Sequence, residues 1–427
     1  MRAILCPRLT CRGLPLPRPM SPTTIGPWAI AVTGALALAT AMGIGRFAFT
    51  PLLPMMLHDG VLDLAGASWL ASANYLGYLV GAVLCMLQPW IWRRIGNPPP
   101  PDPAAMVRGG LVATTLLTLA MALPWPALWP TLRFAAGVAS ACVFVYISGW
   151  CLTQTARRGR AALGGMIYTG PGTGIVLSGL IASLIVAWQG SAQLGWLVFG
   201  VLAAVLTLGV RPVLLRGTLP AAAAAGTGPM GGTPAAAGHG EVALLIAGYG
   251  CAGFGYIITA TFLPVIARQA LPGSPWLDLF WPIFGAGVMV GAMLTTRVSL
   301  ALDMRHLLAG CHVVQALGVL ASLVSPSLAG FVLGSVLLGV PFTAITYFAM
   351  QEIRRLRPLH AASTMGLATA LYGIGQVAGP PLVALLIAWR GSAAQGFTLS
   401  LAGAAGTLLL GAGLYLWSAR RYPKTRA

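Results

Sequence analysis

The chain is written twice. The run Gly43-Ile44-Gly45, seven residues, then Leu53-Pro54 returns 210 positions later as Gly253-Phe254-Gly255, seven residues, then Leu263-Pro264. Gly77-x-x-x-Gly81-Ala82-x-Leu84 returns at the same offset as Gly287-x-x-x-Gly291-Ala292-x-Leu294. Arg157-Arg158-x-Arg160 recurs 197 positions on as Arg354-Arg355-x-Arg357. Ala187-Trp188-x-Gly190-Ser191-Ala192 recurs 201 positions on as Ala388-Trp389-x-Gly391-Ser392-Ala393. Four correspondences in one order, with drifts that fall in loops, describe one unit used twice. In a strongly apolar chain, duplicated halves point to a transporter whose substrate site lies between them.

Of 427 residues, 57% are hydrophobic and 7% charged, against about 25% charged in a soluble domain. That stock cannot cover a water-facing surface. Twelve apolar stretches approach or exceed the ~20 residues a helix needs to span a bilayer. They lie at 28–57, 66–88, 105–123, 128–155, 161–187, 192–210, 241–267, 277–298, 304–324, 328–353, 361–389 and 394–418. The predicted fold is all-α and integral to a membrane, in two six-helix halves. The net charge of +18 then reports orientation. Of 25 Lys and Arg, 21 fall on one side of this topology, Arg268 and Arg390 on the other, and Arg46 and Arg133 inside spans. The positive-inside rule predicts both termini in the cytoplasm, in a bacterial-type inner membrane, with lipid and not nucleic acid as the surrounding partner. Seven cysteines, an odd number without C-x-x-C, form no framework. Cys85, Cys142, Cys151, Cys251 and Cys311 read as small thiols scattered through apolar helices.

Residues 1–27 hold four Arg and no apolar run of signal-peptide length. They read as a disordered cytoplasmic tail, with Met20 as an alternative start. The halves occupy 28–211 and 241–418. Between them, 212–240 is rich in Gly, Pro and Ala and predicts a flexible cytoplasmic linker; 419–427 predicts a basic tail. The loop Asn97–Pro103 has no match in the second half, which explains the fall in repeat offset. Fifty-five glycines, many four apart, allow close helix packing where lipid supplies no hydrophobic drive.

Three runs carry a family resemblance: Gly43-Ile-Gly-Arg-Phe-Ala-Phe-Thr-Pro-Leu-Leu-Pro54, Ser72-Ala-Asn-Tyr-Leu-Gly-Tyr-Leu-Val-Gly-Ala82, and Tyr372-Gly-Ile-Gly-Gln-Val-Ala-Gly-Pro380. Over about residues 28–418 the chain resembles the YbfB/YjiJ-type transporters of the major facilitator superfamily. The resemblance implies twelve helices and secondary transport, and supplies no substrate. It also implies a loop after span two with Asp four residues after a Gly. Counted from Gly81, Cys85 stands at that Asp position, and Thr295 stands at its second-half equivalent, with Asp303 and Arg305 further on. The gate at these loops is therefore expected to depart from its standard form, with Asp303 and Arg305 as gating candidates in the second half.

Arg46 is the leading functional candidate. A central membrane charge costs at least ~2.5–3.5 kcal/mol, so such residues are paired or face a cavity. None of the seven acids lies centrally in a span. We expect Arg46 to hold an anionic group of the substrate with its fork of donors; the alternative is a structural arginine satisfying carbonyls near Pro51. Its repeat counterpart, Tyr256, suits the opposite wall. Asn74, Tyr168, Tyr372 and Gln376 could line the cavity or bridge helices. Arg133 opens Arg133-Phe-Ala-Ala-Gly137, which resembles the superfamily's R-x-x-x-G element, associated with proton coupling; a snorkelling arginine is the competing reading. Asp278, Glu352 and His312 are further titratable candidates, with helix-end solvation the plainer reading of the two acids and a hydrogen bond to a neighbour that of His312. Gly170-Pro171-x-x-Gly174 resembles part of an antiporter motif and predicts a flexible helix.

A single lysine, Lys424, excludes a Walker phosphate loop, and H-E-x-x-H and G-x-S-x-G are absent. Gly248-Tyr-Gly-Cys-Ala-Gly253 fits G-x-G-x-x-G without a strand–helix context. We therefore expect no enzyme, cofactor or metal. The expected protein is a secondary transporter of a small organic anion held by Arg46. Efflux of an uncharged or amphiphilic compound is the alternative, and a sensor or scaffold the alternative from another class. A proton, anion exchange and uniport all stay open for coupling.

Overall fold

The computed structural model describes residues 25–96, 98, 102–160, 163–216, 238–274, 276–299, 302–357 and 361–423. Among them, twelve helices are long and apolar enough to cross a membrane. They are α1 Pro27–His58, α2 Leu64–Gln88, α3 Pro103–Ala120, α4 Pro126–Arg157, α5 Leu163–Ala187 and α6 Ala192–Arg216, then α7 His239–Ala270, α8 Leu277–Thr295, α9 Met304–Val324, α10 Leu328–Leu356, α11 Thr364–Arg390 and α12 Ala393–Arg421. In lipid every backbone amide must find its partner inside the protein, which is why each apolar run is helical. Helix starts are fastened by short side chains. Asp63 accepts from the Gly66 amide, Asp102 from Ala104 and Ala105, and Ser327 from Gly330.

The duplication is visible in the packing. α2 lies on α4 as α8 lies on α10, and α3 on α6 as α9 on α12. α1 lies on α5 as α7 lies on α11. The halves meet where α2 touches α11, α5 touches α8, and α1 touches α7. Among the hydrogen bonds that cross this seam are four made by hydroxyls: Thr50 to the Ala260 carbonyl, Tyr75 with Thr261, Ser72 to the Val377 carbonyl, and Ser183 to the Asp278 carbonyl. All four lie between mid-span and the end opposite the arginine clusters.

Helix replaces both edges of the segment 212–240 expected as linker. α6 continues through Pro212 to Arg216, and α7 opens at His239. α12 likewise carries the first residues of the predicted 419–427 tail to Arg421. The tail up to residue 24, linker residues 217–237, loop residues 97 and 99–101, and Lys424 lie outside the described residues. The cysteines are less scattered than expected: the sulfurs of Cys85 on α2 and Cys142 on α4 stand 3.8 Å apart.

Candidate functional site

The site is built on a break in α1. The helix is α-helical over Pro27–Leu38, π-helical over Ala39–Ile44, turns at 45–48, and resumes as α-helix over Phe49–His58. Gly45 N bonds to Thr40 O and Phe47 N to Met42 O, the wide spacing of a π-turn. Pro51 has no N–H to return to this stretch. The carbonyls of Gly45 and Arg46 are instead taken by Arg133, which donates from Nη1 at 3.1 Å and Nη2 at 3.0 Å. Arg133 is buried and flanked by the rings of Phe49 and Trp196. It braces the break from α4. The snorkelling expected as its alternative role is replaced by this inward brace.

Bracing the backbone leaves the Arg46 side chain free to face the seam. It is 4% exposed. Its Nη2 donates to Gln376 Oε1 on α11 at 2.6 Å. Gln376 donates in turn to the Tyr256 hydroxyl on α7. Thus Arg46 and its repeat counterpart are joined by one residue across the two halves. The guanidinium carbon sits 4.1 Å from the Tyr78 ring centre and 5.3 Å from those of Tyr75 and Phe47, within cation–π range. The C-terminal half adds a ladder of tyrosines. Tyr256 and Tyr372 are stacked at 5.8 Å, and Tyr372 and Tyr249 at 4.6 Å. Phe342 packs edge-on against both Phe47 and Tyr256.

Within this aromatic cage Arg46 has no counter-charge among the described residues, and its Nε has no hydrogen-bond partner among them. The seven acids are all engaged at helix ends. Asp59 accepts from the Ala192 amide, Asp63 and Asp102 cap α2 and α3, and Asp278 pairs with Arg268. The remaining three surround Arg305, which is 1% exposed. Arg305 donates to Asp303 Oδ2 at 2.8 Å and Glu241 Oε1 at 2.9 Å, with Glu352 Oε1 at 3.8 Å. Arg355 closes the cluster onto Glu352 at 2.7 Å. Asp303 and Arg305 therefore tie α9 to α7, α10 and, through the Tyr422 carbonyl, the end of α12. This is a clasp within one half rather than a gate between halves. The expected solvation of Asp278 and Glu352 is corrected to ion pairing, and Glu352 is buried.

The other expected residues separate into two groups. Gln376, Tyr256 and Tyr372 surround Arg46. Tyr168 stands further out, its ring 6.2 Å from Phe144, which is 6.5 Å from Tyr78. Asn74 turns away and donates to the Arg133 carbonyl, so it bridges α2 to α4. His312 is held between the carbonyls of Leu308 and Gly248, at 2.8 and 3.1 Å, and rests edge-on against Tyr415. Gly170 and Gly174 press α5 against α1: a Cβ on Gly170 would fall on the Ala35 carbonyl, and one on Gly174 on Ala39 and Gly43. α5 breaks at residues 167–168, ahead of Pro171, which occupies the first turn of the resumed helix Thr169–Ala187. There a missing N–H costs no internal bond, so the expected bend at Pro171 moves upstream. Among the described residues no group of three or more His, Cys, Asp or Glu could hold a metal.

Tyr75, Tyr78, Phe47, Phe342 and Tyr249 were not singled out in the sequence. Tyr75 and Tyr78 lie three apart in the Ser72–Ala82 run, a spacing that places them on one helix face.

The family model described as "Uncharacterised MFS-type transporter YbfB" matches residues 38–416. No curated protein matches the sequence. Among solved structures the fold is similar to a crystal structure of a mutant of the nucleoside transporter NupG, at TM-score 0.70 and 13% identity, covering 91% of this chain and 99% of that one.

Proposed function

This chain belongs to the family of uncharacterised MFS-type transporters described as YbfB, a multi-pass membrane protein built for secondary transport, and from that premise we propose that it carries a small organic monoanion. One observation carries the reading: Arg46 is buried at mid-span, its hydrogen-bond partners are neutral side chains, and it has no counter-charge among the described residues. An unpaired buried cation is costly, and an anionic substrate removes that cost while bound. The single charge, with Arg133 already occupied by carbonyls, suits one carboxylate. The surrounding tyrosine and phenylalanine rings suit an apolar or aromatic body. The arginine-rich ends face the cytoplasm in this reading. The protein moves solute without catalytic chemistry.

The competing reading is an uncharged solute. The structural neighbour is described as a nucleoside transporter, and the tyrosine ladder could stack a planar neutral ring equally well. A thermal-stability screen of the purified protein against aromatic and aliphatic carboxylates, nucleosides and amphiphiles separates them, since a ligand of the folded state raises apparent stability. A carboxylate that stabilises the wild type and not Arg46→Ala supports the anion reading. Stabilisation by nucleosides alone, unchanged in Arg46→Ala, overturns it.

A further inference from the structure

The two halves differ in how they treat charge at their arginine-rich ends. In the second half three carboxylates meet Arg305 and Arg355. In the first half Asp102 alone stands near Arg108, at 3.9 Å, and its oxygens already cap α3. Here a groove of about 390 Å³ lies between α3 and α6, lined by Arg108, Gly109, Val112, Thr207, Arg211 and Leu214. Arg108 is anchored by a bond from Nη1 to the Leu214 carbonyl at 3.3 Å. Arg211 is exposed and, among the described residues, makes no hydrogen bond or ion pair. Gly109 forms an open floor, since a Cβ there would meet nothing within 4 Å. Toward mid-span, Val112 and Leu116 of α3 and Val205 and Leu208 of α6 are exposed apolar side chains.

We propose that this groove is a binding site for an anionic phospholipid, with the phosphate between Arg108 and Arg211 and an acyl chain along the exposed side chains of α3 and α6. Charge and position select the occupant. Two arginines with one preoccupied carboxylate attract a phosphate, and basic pockets between membrane helices at the headgroup level bind anionic lipids. A free inorganic anion would have no use for the apolar track. The site is separate from Arg46, so its failure leaves the transport reading untouched.

The test is a titration of the purified full chain with phosphatidylglycerol and with phosphatidylcholine, read by native mass spectrometry, alongside thermal stability in inorganic phosphate. Tighter binding of phosphatidylglycerol is expected, falling roughly fivefold in Arg211→Gln, as for loss of one basic residue at an anionic surface. Gly109→Leu, which fills the groove without changing charge, should remove the preference too. Arg420→Gln, at an exposed arginine on α12, should retain it. Equal binding of both lipids, survival of the preference in Gly109→Leu, or equal weakening by Arg420→Gln would overturn the proposal, the last by showing diffuse charge attraction. Equal protection by inorganic phosphate would overturn it in favour of a free-anion site.

Discussion

Thr50 donates its hydroxyl hydrogen at 2.9 Å to the carbonyl of Ala260, the residue 210 positions on and its own counterpart in the repeat. A residue that touches its own repeat mate lies on the pseudo-two-fold axis. Arg46 and Tyr256 are also repeat mates, one helical turn earlier on α1 and α7, and Gln376 joins them. The axis of the duplication therefore runs through the candidate site, as the alternating movement of two halves about a central solute requires.

The seam bonds near that axis tie the two halves together toward the end opposite the arginine clusters. Thr50→Val keeps the shape and removes the bond to Ala260, a loss of about 0.5–1.5 kcal/mol for a neutral hydrogen bond. We expect the halves to separate more often at the end opposite the arginine clusters. Spin-label distances between positions 61 and 274, in a background lacking the native cysteines, should lengthen in Thr50→Val. An unchanged distribution would show that the bond does not hold that end.

Arg133 is a brace in this structure, and a brace is sensitive to shape rather than to pH. Its two nitrogens reach two carbonyls, which a lysine point charge cannot match. Arg133→Lys should therefore lower thermal stability and transport rate. The pH profile of transport in the folded fraction should keep the wild-type shape. A shifted profile would instead place Arg133 in proton coupling.

The Arg305 clasp should matter for folding and not for selectivity. Removing one partner of a buried ion cluster costs about 3–5 kcal/mol because the others stay buried and uncompensated. Arg305→Gln is expected to lower the melting temperature sharply, while surviving protein binds solute with unchanged affinity. Arg354→Gln, at an exposed position, should be nearly neutral in stability.

The α1–α5 crossing beside the π-segment leaves no room for a methyl group. A Cβ on Gly174 would meet the Ala39 carbonyl and the Gly43 backbone. Gly174→Ala should destabilise by about 1–3 kcal/mol through overpacking. At Gly149 a Cβ would meet nothing within 4 Å, so Gly149→Ala in the same melting assay should stay close to wild type.

Much of this was readable before the structure because bilayer thickness and backbone pairing leave few options for a duplicated apolar chain. Arg46 was readable because a charge stands out in such a span, Tyr256 because it is the repeat counterpart of Arg46, and Gln376 because it is polar within a span. Of the two readings open for Asn74, cavity lining or helix bridging, the structure has the second, for a geometric reason. Asn74 is one residue from Tyr75, and one residue turns a helix by about 100°, so Tyr75 faces Arg46 while Asn74 faces α4. In soluble helices apolar periodicity would reveal the inward face. Here both the lipid and the interior accept apolar side chains, which hides it. The pairing of Glu241 and Glu352 with Arg305 was opaque for another reason. They are 64 and 47 positions from Arg305, and only packing of α7, α9 and α10 makes them neighbours.

The central claim is that Arg46 recognises the negative charge of the solute. The most direct measurement is calorimetric titration of wild type, Arg46→Gln and Arg46→Lys with the best carboxylate from the stability screen and with its neutral amide. The account predicts that wild type binds the carboxylate and not the amide. It also predicts that Arg46→Gln loses about 10–100-fold in carboxylate affinity, the range expected for a hydrogen bond to a charged group, and that Arg46→Lys recovers part of it. Equal binding of acid and amide by wild type, or undiminished carboxylate binding by Arg46→Gln, would contradict it.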